Sequence, residues 1–205
     1  MRLPYAPMQV TFDPRGTCVL VATLGGVSAW VFDGQTVRPV AGWSLSNLAG
    51  ATGAAWGMDG CAFVVSTASE VAVYGLRARA AGYDATRVAA APFAGTLGLA
   101  PGPAGLPSAL LAATATGATL LEAQGSTLVA LPGGPSGLTA NLGVAATTDG
   151  SVAATWQQEA VQLWARNGTA YAPAAAWDPP VPPIADGPVV GVTFAPQSDG
   201  QGGPL

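Results

Sequence analysis

The chain has 205 residues and a net charge of −4; half its residues are apolar and only 9% are charged, against about a quarter in an ordinary soluble domain. It contains no Lys and no His, so Ser-His-Asp, Cys-His and Ser-Lys nucleophile systems and a Lys-bearing phosphate loop cannot be built from its own residues. Seven cations against eleven acids argue against general nucleic-acid binding, which needs clustered Lys and Arg.

The N-terminal MRLPYAPMQVTF has no apolar h-region of the secretory kind. The uncharged stretch from Val88 to Leu121 is interrupted by Pro and Gly, and its longest apolar run is too short to span a bilayer. A soluble, cytoplasmic chain with no membrane association is expected.

Strands are expected from the first residues onward. VTFDPRGTCVLVATLGGVSAW, residues 10–30, reads as an apolar stretch, a Gly-containing turn, a second apolar stretch, a Gly break and an alternating segment that ends in an aromatic. Asp33-Gly34 then marks another turn, because both residues tolerate positive φ. The same grammar returns over residues 54–74 as AAWGMDGCAFVVSTASEVAVY. At an offset of 44, Phe12 meets Trp56, Gly16 meets Gly60, Thr23 meets Thr67, Val27 meets Val71 and Trp30 meets Tyr74. Val71 to Ala80 admits a helical reading, but its place in the repeat makes it a strand.

Arg77, Arg79 and Arg87 form the one local basic cluster and read as a solvated loop between repeats. A weaker third copy, LGLAPGPAGLPSALLAATATGATLL, carries Ala118 and Leu121 at the Val71 and Tyr74 places. The fourth, NLGVAATTDGSVAATWQQEAVQLW, has the turn Thr148-Asp149-Gly150 and the alternating Val161-Gln162-Leu163-Trp164. Asn167-Gly168-Thr169 matches a glycosylation sequon, but a hairpin turn is its reading here. Asp178-Pro179-Pro180-Val181-Pro182-Pro183 is an extended connector, because GVTFAPQSDG from Gly191 then echoes QVTFDPRG.

From Val27 to Val71, Ala118 and Val161 the spacing is 44, 47 and 43 residues. Four short strands in about 45 residues is the size of one propeller blade. With 28 Gly and 18 Pro, no long stretch carries a capped helical period. A β-sandwich is the other all-β solution, but it does not predict a regular period. A blade cannot bury both of its faces alone, so blades stack around an axis. The fold expected is an all-β propeller with four four-stranded blades and the start of a fifth. The blades are placed at about 8–50, 52–94, 96–139 and 141–187, with the fifth starting at 189–205. Its last segment duplicates its first and does not complement it, so part of a larger propeller, or a truncated gene product, is expected.

Cys18 and Cys61 fall at nearly equivalent places in adjacent repeats and read as core thiols in a reducing compartment, not as a disulfide framework. Asp13, Asp33, Asp59, Asp149 and Asp199 lie beside Gly or Pro and read as turn residues rather than catalytic acids. No catalytic residue, cofactor or metal ligand is expected. Trp30, Trp56, Trp156 and Trp164 fall inside the repeats and read as blade packing. Trp43 and Trp177 lie in connecting segments and are the candidates for an exposed interaction surface.

Phe12-Asp13-Pro14-Arg15-Gly16, Val161-Gln162-Leu163-Trp164 and Phe194-Ala195-Pro196 resemble WD40 repeats. The family's Gly-His pair is absent, and no Asp follows the terminal aromatic: Val31 follows Trp30 and Ala165 follows Trp164. The segments Leu3 to Phe12, Val19 to Ala22 and Val27 to Trp30 also resemble a blade in the first propeller of the largest Elongator subunit (the IKAP family). That resemblance covers one blade and implies an organising role in tRNA wobble-uridine modification, with no catalytic residue. The function expected is a non-enzymatic scaffold whose partners are other protein subunits. A propeller enzyme or sugar-binding propeller, with its site over the central channel, is the alternative.

Overall fold

A computed structural model describes residues 6–13, 17–32, 35–40, 48, 50–56, 62–79, 82–103, 106, 109–147, 149–158, 160–174, 191, 192 and 194, with the backbone alone for 77–79 and 82–84. All regular structure in it is β. Sixteen strands follow one another as four antiparallel units, each ordered from first strand to fourth. Blade 1 is β1 (Pro7–Phe12), β2 (Cys18–Thr23), β3 (Gly26–Phe32) and β4 (Val37–Pro39). Blade 2 is β5 (Ala51–Trp56), β6 (Ala62–Thr67), β7 (Glu70–Arg79) and β8 (Gly82–Pro92). Blade 3 is β9 (Gly98–Pro101), β10 (Ala109–Thr114), β11 (Gly117–Gln124) and β12 (Thr127–Leu131). Blade 4 is β13 (Gly143–Ala146), β14 (Val152–Trp156), β15 (Val161–Asn167) and β16 (Ala170–Pro173). Among the described residues, no helix is long and apolar enough to cross a membrane.

The first strands β1, β5, β9 and β13 touch in succession and form the inside of the arc. Their small residues let blades converge there: β13 is Gly-Val-Ala-Ala and β5 holds three Ala and a Gly. The second strands are apolar at nearly every position, as in β10 with Ala109 to Ala113 all buried. Those of blades 2 and 3 are covered on both faces by neighbouring blades, so alternation disappears. The outer strands face water on one side and alternate, as in β16, where Tyr171 is buried between exposed neighbours.

Among the described residues there is accordingly no single core but three, one per blade junction. Leu20, Ala22, Val27 and Ala29 of blade 1 meet Ala54, Trp56, Phe63, Val65, Ala72 and Tyr74 of blade 2. Phe63 stacks on Tyr74 at 5.3 Å and meets Trp56 edge-on at 6.1 Å. The second core joins Ala55, Val64, Val71 and Val73 to Leu99, Leu110, Leu121 and Leu128. The third joins Leu111, Ala113, Ala118 and Leu120 to Val144, Ala153, Trp164 and Tyr171.

One expectation is corrected. Arg77, Arg79 and Arg87 lie on strands rather than a loop: the β7–β8 ladder runs on to Arg79 opposite Gly82. Arg87 is opposite Tyr74 and makes an ion pair with Glu70 at 2.8 Å. Blades 2 and 3 are also joined at their outer strands by one parallel bridge, Thr127 to Ala90, which makes a continuous eight-stranded sheet.

Candidate functional site

Antiparallel order fixes which loops share an end of the arc. The turns between second and third strands and the connectors between blades fall at one end. The turns between first and second strands, and between third and fourth, fall at the other.

At the first end a threonine closes the tight turns of blades 1, 2 and 3. Thr23 Oγ1 donates to Gly26 O at 3.1 Å and accepts from Gly25 N at 3.2 Å. Thr67 Oγ1 accepts from Glu70 N at 3.2 Å and Ser69 N at 3.4 Å. Thr114 Oγ1 donates to Gly117 O at 3.5 Å. The hydroxyl serves turn groups that the ladder leaves without partners. Each turn then accepts from the following connector: Leu24 O from Gly50 N, Ser69 O from Phe93 N, Thr116 O from Leu138 N. Asn141 adds a side-chain tie, its Nδ2 donating to Thr114 O and Gly117 O at 2.8 Å each. Its Oδ1 is buried and meets no protein partner.

The innermost strands carry one residue of particular reach. Gln9 of β1 aligns in the repeat with Gly53, Gly98 and Gly143, each opposite the equivalent second-strand position. Its side chain lies across the first two glycines. Oε1 accepts from Ala54 N at 3.2 Å and Leu99 N at 3.3 Å, and Nε2 donates to Leu99 O at 2.9 Å. One amide thus ties blade 1 to blades 2 and 3, across 45 and 90 residues of chain. A Cβ on Gly53 would stand 2.7 Å from Gln9 Oε1 and 2.9 Å from Ser66 Oγ, so only glycine leaves room for the amide.

Next to these positions the surface of this end is apolar. Leu97 and Leu142, each one residue before an aligned glycine, are 43% and 39% exposed, and Leu24 in its turn is 56% exposed. Among the described residues of these turns and connectors, Glu70 is the one charged side chain, and Arg87 neutralises it. A cleft of about 200 Å³ lies between Thr114–Gly117 and the connector at Gly134 to Ser136. That is below the ordinary range of small-molecule sites, about 300–1,000 Å³.

The opposite end holds the aspartates. Asp13 Oδ1 accepts from Thr17 N at 2.6 Å and Cys18 N at 2.7 Å. Asp149 Oδ1 accepts from Thr147 Oγ1 at 2.6 Å, Ser151 Oγ at 2.8 Å and Ser151 N at 3.0 Å. Those bonds, the Thr147 hydroxyl first, hold the Asp149 carboxyl at about 2 instead of its ordinary 3.8. Both acids therefore act as turn caps, as turn chemistry predicts. Among the described residues, no group of three His, Cys, Asp or Glu comes together. Cys18 is half-buried at the edge of the first core, and burial, then the nearby Asp13, pushes its thiol pKa up. Cys61, Asp33, Asp59, Asp199, Trp43 and Trp177 lie outside the described residues.

Sequence reasoning missed Gln9 and the threonine turns. The alignment of Thr23 with Thr67 signals the turns. The alignment of Gln9 with Gly53, Gly98 and Gly143 signals the break in small-residue usage.

No family model matches the chain, and no curated protein matches it. Solved structures do. A protein from Bacteroides uniformis, provisionally assigned as a 6-phosphogluconolactonase, superposes with a TM-score of 0.57 at 14% identity, over 80% of this chain and 52% of its own. The Pseudomonas aeruginosa periplasmic gluconolactonase gives 0.54 at 14%, over 81% and 55%. The β-propeller domain of Cps50 (Swd1) from Myceliophteria thermophila gives 0.54 at 14%, over 87% and 68%. The chain thus spans about half the length of the two lactonase structures.

At this identity the likeness shows the fold: a β-propeller, with a WD40-type domain among its neighbours. It gives no support to the Elongator resemblance. It also corrects the expectation of a non-enzyme, because the two lactonase structures have this same blade arrangement. Missing Lys and His removed some chemistries from the sequence, but a propeller hosts catalysis as readily as binding.

Proposed function

We propose that this chain is a protein-binding propeller that docks an apolar, uncharged segment of a partner protein on the end carrying the threonine turns and blade connectors. The observation that carries this is the exposure of Leu24, Leu97 and Leu142 on an end whose one described charge is already paired. Exposed aliphatic side chains on a rigid frame are what such a partner would bury. Trp43 and Trp177, by their sequence positions between β4 and β5 and after β16, belong to the connectors and are proposed to extend the same surface.

The test is affinity capture with quantitative mass spectrometry on three forms: the unaltered chain, Leu97→Asp/Leu142→Asp, and Val129→Asp on the outer strand β12. A partner lost with the double change and kept with Val129→Asp supports the reading. A partner set unchanged by the double change overturns it.

A second reading stands on the two lactonase neighbours: hydrolysis of a sugar lactone over the axis. Hydrolysis of gluconolactone above its spontaneous rate by the purified chain would replace the first reading with this one.

A further inference from the structure

The chain has three asparagines, Asn47, Asn141 and Asn167, and asparagine is a thermolabile residue. Its Cγ is open to attack by the backbone N of the next residue, which closes a succinimide ring and expels ammonia. That step needs space around the attacking N, nitrogens not engaged in hydrogen bonds, and a backbone that can rotate until N faces Cγ.

The turn between β15 and β16 meets these needs. Asn167 ends β15 opposite Ala170, and Gly168 opens the two-residue loop between them at φ +63°. Both Asn167 and Gly168 are exposed. Even a Cβ on Gly168 would meet nothing within 4 Å, so its N is approached without hindrance. Among the described residues, neither the Asn167 side-chain amide nor the Gly168 N–H makes a hydrogen bond. Rotation is resisted by the Asn167–Ala170 pair, which closes a hairpin end, where local opening costs least. Asn141 is the reverse. It is 1% exposed, and its Nδ2 donates to Thr114 O and Gly117 O at 2.8 Å each. The N–H that would have to attack, on Leu142, already donates to Trp156 O at 2.8 Å. Asn47 is also followed by Leu and lies outside the described residues.

We propose that Asn167 is a site of spontaneous modification, converted in the folded protein through a succinimide to aspartate and isoaspartate, with water as the co-reactant. The Gly168 N–Cγ bond forms and the Cγ–Nδ2 bond breaks. The proton of the Gly168 N–H passes through water to the departing Nδ2, which leaves as ammonia. Water then adds to one of the two imide carbonyls. Cleavage of the new N–Cγ bond leaves aspartate. Cleavage of the original peptide bond leaves isoaspartate, with the main chain routed through Cγ. Either product places a carboxylate at the tip of blade 4, where the chain had a neutral amide. Isoaspartate also lengthens the main chain by a methylene beside the Asn167–Ala170 pair. Tyr171 is held independently of the turn, its N–H on Gly133 O at 2.7 Å and its hydroxyl on Gly150 O at 2.8 Å. The change is therefore absorbed in the turn, and the third core keeps its packing.

The test is to incubate the full chain, folded, at neutral pH in water enriched in heavy oxygen. Digestion and mass spectrometry follow, with fragmentation that separates aspartate from isoaspartate. The Asn167 peptide should gain labelled carboxylate in both forms. It should do so at least about tenfold faster than the Asn141 peptide, because a hairpin end opens far more often than a blade junction. Gly168→Ala should slow the conversion several-fold, since its methyl crowds the attacking N, and circular dichroism checks that the variant keeps its β-structure. Aspartate without isoaspartate overturns the ring step in favour of direct hydrolysis. Conversion seen only after unfolding in urea, or equal rates at Asn141 and Asn167, overturns the folded turn as the site. An unaltered rate in folded Gly168→Ala overturns the attack by the Gly168 N.

Discussion

Replacing Gln9 by Ala removes three hydrogen bonds at once from the inside of the arc, at 2.9, 3.2 and 3.3 Å. The residues left without the amide, Ala54 and Leu99, are 0% and 2% exposed. At about 1 kcal/mol net per bond the loss is about 3 kcal/mol. For a domain of this size that lowers the melting temperature by about 6–12 °C. Urea unfolding followed by tryptophan fluorescence measures it. The glycine beneath the amide supplies an internal check. Gly53→Ala puts a methyl 2.7 Å from Gln9 Oε1 and should displace the amide, costing most of the same three bonds. With Gln9 already Ala, that collision is gone and only the Ser66 contact at 2.9 Å remains to be relieved. The double variant should therefore be more stable than the sum of the single changes by about 1 kcal/mol or more. A Gln9→Ala loss under about 0.5 kcal/mol, or strictly additive changes, would refute the reasoning: water would then be taking the amide's place.

Gly150 has φ of +64° in the first turn of blade 4, and a methyl there would collide with Pro103 of blade 3. Gly150→Ala should cost about 2 kcal/mol or more, combining αL strain with overpacking, whereas Gly168→Ala, at φ +63° with nothing within 4 Å, should cost about 1 kcal/mol; urea midpoints separate them. Thr147→Ala should raise the Asp149 carboxyl pKa from about 2 toward 3.8, read from the pH dependence of its carboxyl NMR shift. Because the folded value lies below the unfolded one, the turn's contribution is in place above pH 4 and fades as the pH falls through 2. Asp149 is exposed, so that contribution is small and screened by salt.

The blade period was legible in the sequence because each blade repeats one local problem. Strands buried on both faces read as apolar runs, as in β2 and β10, and reversals that need positive φ take glycine, as at Gly150 and Gly168. Trp56 and Trp164 pack between blades as their repeat positions imply. Asp13 and Asp149 cap turns because their short carboxylates reach the next backbone N–H groups without help from distant residues.

Only the tertiary structure decided the rest. The reach of Gln9 across 90 residues leaves no local trace, since a half-buried glutamine on a strand looks like any polar residue. The strand length of β7 was misread at Arg77 and Arg79 because two cations without apolar alternation resemble a loop, whereas pairing with β8 holds them in a ladder. A single repeat cannot carry the number of blades that stand around it. Each blade's sequence specifies a junction on both faces, and the stacking shows blades 2 and 3 using both.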